Sequence, residues 1–225
     1  MQRLIPDPLT VSISDIQITA CVDSGYQLLR SHFAYAYSKI PKKFMDRSEL
    51  SFHDHVKLVA HACLATSHIM GSIVEIGVWK GMSLALSQRF SPAGTQVIGI
   101  DPCCLNGQAD ELNYFHMNLF PSADLILDYS FRSISQLVNF TKQIKVLHID
   151  GGHNSWDVWA DFLLYERLVV AGGYIIFDDY NDKIYSPEVG PAVDNLGREG
   201  FFRNYDVLGV IPSYSNSFVL RRRIY

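Results

Sequence analysis

The chain has 225 residues, 48% of them hydrophobic, enough for one well-buried α/β core with an appended segment. A formal charge of −4 and a pI near 6.0 exclude the strongly basic face expected of a nucleic-acid partner. No apolar run reaches the length of a membrane span and Met1–Asp7 has no signal-peptide pattern, so a soluble, cytoplasmic protein with no membrane partner is expected. Cys21, Cys63, Cys103 and Cys104 show neither C-x-x-C nor framework spacing and read as reduced thiols.

Residues 1–14, with prolines at 6 and 8, read as an irregular or swapped arm. From Asp15 to Ile40, Ile18, Val22, Leu28, Leu29, Phe33 and Tyr37 form the stripe of an amphipathic helix. Gly25 is a weak point where it can divide, and Pro41 ends it. A second helix is expected from Ser51, as N-cap, to about Ser67. It carries His53, His55 and His61, with His68 just beyond. Spacings of eight and seven put some of them on one face, where a metal site is conceivable, but the favoured reading is surface and boundary histidines, because no carboxylate or cysteine joins them at ligand spacing. Residues 1–70 are therefore assigned to an arm and cap helices, and 71–225 to the main domain.

That domain opens with the β-branched strand Ser72–Ile76, two glycines four apart (Gly77, Gly81), and a helix start at Met82. Strand, glycine turn and helix bring backbone N–H groups to a ligand's polar end. Further apolar runs follow, and each ends in acid: Val97–Ile100 in Asp101, Leu125–Leu127 in Asp128, Val146–Ile149 in Asp150, Tyr174–Phe177 in Asp178 and Asp179. Helices are predicted over Met82–Phe90, Gly107–Leu119, Phe131–Phe140 and Ser155–Val169. The alternation predicts a Rossmann-like, doubly wound α/β sheet, mostly parallel and covered on both faces. Right-handed crossovers then gather the aspartates on one rim. Beyond a helix at Pro187–Glu199, Tyr205–Val210 and Ser217–Leu220 predict an antiparallel hairpin at one edge, its end (Arg221–Arg223) a solvated basic run.

Asp101 stands 24 residues after Gly77, where an acid of a Rossmann-like fold reaches ribose hydroxyls, in NAD as much as in other nucleosides. Asp150, Asp178 and Asp179 follow strands expected to be neighbours, and converging carboxylates call for a cation. An oxygen-only set suits Mg²⁺, with Mn²⁺ or Ca²⁺ as alternatives; the competing reading is that Asp178 or Asp179 caps a turn. His153 is a candidate general base, a further ligand, or a helix cap. His148, inside its strand, reads as structural.

Glu75-x-Gly77-x-x-x-Gly81 resembles the cofactor loop of class I S-adenosylmethionine-dependent methyltransferases. Leu147–Trp156, Asp161 and Ala171–Tyr180 resemble the signature half of the macrocin O-methyltransferase and cephalosporin hydroxylase-like family, a similarity spanning roughly residues 70–200. The resemblance implies that Glu75, Gly77 and Ser83, on the loop that carries Trp79 and Gly81, contact the methionine part of the cofactor. It places Asp101 at the ribose and Asp128 or Ser130 at the adenine, with a helix N-cap as the other reading of Ser130. Asp150, Asp178 and Asp179 would hold the metal, and Asp150, His153 and Asp179 would carry the chemistry. One departure is Gly152, where many relatives carry an acid.

The expected function is a divalent-metal-dependent O-methyltransferase acting on a small-molecule hydroxyl of a natural product, sugar or catechol. The rivals are a non-catalytic S-adenosylmethionine-binding accessory protein of an oxygenase and a nucleotide-sugar or dinucleotide enzyme. The absence of G-x-G-x-x-G counts against the latter. Self-association through the N-terminal helices is left open.

Overall fold

The computed structural model describes residues 6–40, 50 and 52–224. Its centre is a seven-stranded sheet of order β3-β2-β1-β4-β5-β7-β6. The strands are β1 (Ser72–Ile76), β2 (Val97–Ile100), β3 (Asp124–Ile126), β4 (Ile144–Ile149), β5 (Val169–Phe177), β6 (Tyr205–Ile211) and β7 (Tyr214–Arg222). β1 to β5 are parallel, and β7 runs antiparallel to both β5 and β6. The order reverses at β1, which pairs with β2 on one side and β4 on the other. Ligands of open α/β sheets bind outside such a switch point. β1, β2 and β4 are buried along their whole length, which explains their unbroken apolar runs.

Helices cover both faces. On one lie α1 (Pro8–Ser14), α2 (Ile16–Lys39), α3 (Lys57–Ala65), α4 (Met82–Phe90) and α5 (Gln108–Leu119), whose buried residues share one cluster with Ile73, Val146, Tyr174 and Val219. On the other lie α6 (Ser130–Phe140), α7 (Ser155–Tyr165) and α8 (Val189–Arg198), packed on Val74, Leu147, Ile175 and Leu220. The N-terminal helices are thus a layer of the main core.

The expected arm is instead α1. The Asp7 side chain caps the Leu9 N–H at 2.9 Å and Pro8 occupies the first turn, a start that suits a residue with no N–H of its own. Asp7 also accepts from Tyr174 Oη of β5 at 3.0 Å and pairs with Arg221 of β7 at 3.1 Å. Gly25 does not divide α2, which is continuous; a Cβ there would come within 2.5 Å of the Phe90 ring, so the glycine lets α2 lie close on α4. The second helix starts later than expected, a 3₁₀ turn at Asp54–Val56 leading into α3; Pro41 and Ser51 lie outside the described residues. α7 ends at Tyr165, short of the expected Val169, which already belongs to β5. The basic run is paired: Arg221 with Asp7, Arg222 with Glu166 at 2.8 Å and Arg223 with Asp206 at 2.9 Å.

Under the glycine loop, Lys80 Nζ meets Glu111 Oε2 at 2.6 Å with both side chains almost fully buried. Changing Glu111 to Gln removes the charge that compensates a desolvated ammonium, at a cost of about 3 kcal/mol. For a chain of this length that lowers the melting temperature by roughly 6–12 °C, using about 2–4 °C per kcal/mol. A melting temperature of E111Q within 2 °C of wild type, roughly the least shift expected from 1 kcal/mol, would show the pair to be inconsequential.

Candidate active site

A cleft of about 890 Å³ opens over the C-terminal ends of β1, β2, β4 and β5. Its floor is the Ile76–Gly77 and Asp150–Gly152 turns, and Asp101, Asp178 and Asp179 stand on its walls. The volume lies within the range of small-molecule sites. Trp79 and Asp179, which line it, are non-glycine residues held at φ +47° and +57°, the kind of backbone strain that concentrates at functional sites.

At the glycine loop the structure keeps part of the expected set. Gly77 and Trp79 face the cleft. Asp101 faces it too, but its carboxylate already accepts four hydrogen bonds: from Val78 N (2.9 Å) and Trp79 N (2.8 Å) at Oδ2, and from Cys103 N (2.7 Å) and Gln108 Nε2 (3.2 Å) at Oδ1. It therefore clamps the loop, and a ribose hydroxyl would have to share or displace those donors. Glu75, Gly81 and Ser83 are not among the residues that line the cleft. Glu75 and Ser83 hydrogen-bond each other beneath it, because Glu75 on buried β1 is in register with His148 of β4 and points at that side chain (Nδ1 to Oε1, 3.3 Å). Gly81 is a packing glycine, at φ +84° with a Cβ position only 2.2 Å from the Phe120 ring.

The acidic end is a chain of coupled groups. Asp150 belongs to two sets whose ligand atoms lie within 4.8 Å of one another, His148–Asp150–Asp178 on the buried side and Asp150–His153–Asp179 on the rim. The three aspartates thus meet through Asp150 rather than as one triangle. Burial and the neighbouring Asp178 charge push the Asp150 carboxyl well above its ordinary range. Burial would raise Asp178 as well, but the hydrogen bond and charge of His55, with His148 and Ser217, hold it below. Burial would depress His148, yet the Glu75 hydrogen bond and the surrounding carboxylates raise it to about 9. Asp179 accepts from Asn216 Nδ2 at 2.9 Å and from Ser186 Oγ at 2.8 Å. His153 Nε2 lies 3.3 Å from Asp179 Oδ2, and its Nδ1 is 2.9 Å from Ser186 Oγ.

Each set offers two carboxylates and one imidazole with ligand atoms within 4.8 Å of one another, groups that could hold a divalent cation. The missing acid at 152 is also accounted for. A Cβ on Gly152 would fall 2.0 Å from Asp157 Oδ2, so a carboxylate from α7 fills the space that a side chain there would enter.

His55, read from the sequence as a surface or boundary histidine, instead reaches the acidic cluster. Its Nε2 lies 2.7 Å from Asp178 Oδ2, and both His53 and His55, ring centroids 5.3 Å apart, line the cleft. Their 3₁₀ segment packs on β7, a long-range contact that helical periodicity does not reveal. His61, by contrast, is buried against Ser12 Oγ, and burial lowers it to about 4.

The opposite end is flatter and apolar, with Ile100, Pro102, Tyr129 and Phe131 on its walls. Asp128 is not among the residues lining it: the carboxylate receives Tyr129 N at 2.7 Å and lies 3.8 Å from Arg132 at the surface. Ser130 does line the cleft, as the first residue of α6 rather than its N-cap, a position held by Tyr129.

A family model described as "Methyltransferase domain" matches residues 74–180, the stretch from the glycine loop to the last rim aspartate. A relative from Acanthamoeba polyphaga mimivirus, uncharacterized protein R132, is 34% identical over 179 residues, 75% of this chain and 80% of that one. Among solved structures, an O-methyltransferase from Bacillus cereus in complex with SAH has a TM-score of 0.62 at 16% identity, over 89% of this chain and 91% of that one. The O-methyltransferase TomG from Streptomyces achromogenes, in complex with SAM, has 0.62 at 15% identity, over 87% and 89%. Residues 74–180 match a methyltransferase domain, and the fold is that of these O-methyltransferases. The chain belongs to the same family as R132. No helix among the described residues is long and apolar enough to cross a membrane.

Proposed function

We propose that the protein transfers the methyl group of S-adenosylmethionine to a hydroxyl oxygen of a small molecule, with a divalent cation, Mg²⁺ first, at the Asp150 cluster. The observation that carries this reading is the single cleft that joins the glycine loop to the Asp150–His153–Asp179 rim. Asp150 and Asp179 would hold the ion, with Asp178 behind Asp150. Bound there, it would lower the acceptor hydroxyl's pKa and fix its direction.

The chain's residues do the rest. Gly77 and Trp79 bound the space next to the sulfonium, while the Asp101 clamp keeps the loop rigid, so donor and acceptor meet in line without reorganisation. His153 is partly exposed at the rim and takes the hydroxyl proton on Nε2 as the oxygen attacks. Ser186, held by Asp179, orients the imidazole through Nδ1. The C–S bond breaks as the C–O bond forms, and the neutral thioether S-adenosylhomocysteine leaves.

Incubation with S-adenosylmethionine, Mg²⁺ and a panel of catechols, sugars and phenolic natural products should give a product 14 mass units heavier, the difference between a methyl group and the proton it replaces, together with S-adenosylhomocysteine; chelator should stop it. Tight S-adenosylhomocysteine binding with no methylated product across the panel would favour an accessory role instead. No binding at all would refute the cofactor assignment.

A further inference from the structure

The apolar end of the cleft contains one polar group that nothing so far employs. Asp161 of α7 is 1% exposed, yet it lines the cleft, and its Oδ1 has no hydrogen-bond partner. Its Oδ2 lies against the Gly151 turn, where a Cβ would come within 3.0 Å of that oxygen and equally close to Ile76 Cγ2. The Ser130 hydroxyl bonds the carboxyl, and burial is the main influence on it, raising it to about 7. A buried acceptor without a donor costs roughly 1–3 kcal/mol or more, so its persistence at the wall of an open cavity calls for a ligand that brings the donor.

The surroundings narrow what that ligand is. The walls are flat and apolar: Ile100, Pro102, Tyr129 and Phe131, the last two with ring centroids 5.5 Å apart and planes inclined by 28°. Such walls take a planar heterocycle, while Asp161 at the floor of that end has an oxygen free to accept a hydrogen bond from its edge. A purine with a 6-amino group satisfies both demands; one with a 6-oxo group sets an acceptor against Oδ1 at that position. Asp128, the nearer acid in sequence, is turned to the surface and engaged there.

We propose that Asp161 reads the nucleobase of the cofactor, its Oδ1 accepting a hydrogen bond from the 6-amino group of adenine. This rests on the S-adenosylmethionine reading above and adds to it the residue that selects adenine over hypoxanthine. Ser130 is the positioning residue, holding the carboxyl toward the base.

The test is calorimetric titration of the wild-type protein with S-adenosylhomocysteine, whose base presents a 6-amino donor beside an N1 acceptor, and with S-inosylhomocysteine, which presents a 6-oxo acceptor beside an N1–H donor. At pH 8, above the raised pKa of the carboxyl, a hydrogen bond to a charged group predicts that wild type prefers the adenine form by about 30-fold. In Asp161→Asn the amide turns its oxygen to an amino group or its NH₂ to an oxo group, and the preference falls to within about threefold. A merely structural role for Asp161 would weaken both ligands alike and leave their ratio unchanged, which overturns the inference. Equal binding of the two ligands by wild type overturns it without any variant, so a folding defect in D161N does not shield it. Failure of wild type to bind S-adenosylhomocysteine at all would overturn the cofactor reading itself, a result distinct from either of these.

Discussion

Asp150→Asn abolishes methyl transfer, lowering turnover by about 10³-fold or more, while S-adenosylhomocysteine affinity changes by less than about threefold. The separation follows from where Asp150 stands. It joins the two acidic sets and lies off the loop that Asp101 clamps. The same substitution has the opposite sign on stability. With chelator present, Asp150 is a buried carboxyl that burial and Asp178 make hard to ionise, so an amide of the same shape removes repulsion and the melting temperature rises. Wild type should gain stability from Mg²⁺ by mass action, about 2.7 kcal/mol at a hundred times the dissociation constant, and D150N should gain none. Asp179→Asn should share the loss of turnover. It gains less stability, because Asp179 is partly exposed and already carries Ser186 and Asn216 as donors. Full activity of D150N in chelator would end the metal proposal, and an unchanged wild-type melting temperature across millimolar Mg²⁺ would end the binding claim independently.

The parallel strands were legible because a sheet covered on both faces needs strands apolar on both sides. Val97–Ile100 and the helix Met82–Phe90 were read with the bounds they have in the structure. Capping chemistry was legible too, but was read past at Asp7-Pro8, where two prolines suggested irregularity and the pair in fact starts a helix. Leu168-Val169-Val170 is an apolar run that periodicity cannot divide, so α7 was drawn into β5. At the site, topology alone carried Asp101, Asp150, Asp178 and Asp179 to one rim, since each follows a parallel strand. Register decided what the pattern could not. Glu75 and Ser83 belong to the glycine motif, but a side chain in the middle of a buried strand faces its register partner, here His148, and not the cleft. His55 and Asp161 arrive from a helical layer, His55 by packing on β7 and Asp161 by lying one α7 turn beyond Asp157. Neither placement leaves a trace in local spacing.

Gly77→Ala should be the most damaging single methyl in the protein. The Cβ of alanine would lie 1.8 Å from the Asp150 carbonyl oxygen, 2.5 Å from its carbon and 2.9 Å from Gly151 Cα, at a backbone φ of +86°. Every one of those atoms is main chain, so no rotamer can make room. The approach is enforced from both sides, since Asp150 N donates to Ile76 O at 2.8 Å and Gly77 N to Ile100 O at 2.9 Å. Left-handed strain of about 1–3 kcal/mol adds to an overpacking cost of similar size, together on the order of 4 kcal/mol. That is a fall in melting temperature of roughly 8–16 °C. Gly94→Ala isolates the two contributions: it has φ +82° but no atom within 4 Å of its Cβ, so it should cost only the strain, about 1–2 kcal/mol. Function should fail before folding does, because the only way to admit the methyl group is to push the Asp150–Gly151 turn away from β1. That turn carries the shared acid and leads to His153, and the same motion opens the floor between the glycine loop and the catalytic rim. G77A should therefore lose both S-adenosylhomocysteine binding and turnover at temperatures where it is still folded, whereas G94A keeps both. Equal melting temperatures and equal ligand affinities for the two variants would mean that β1 and the β4 turn are not in contact, and the cleft as described would not exist.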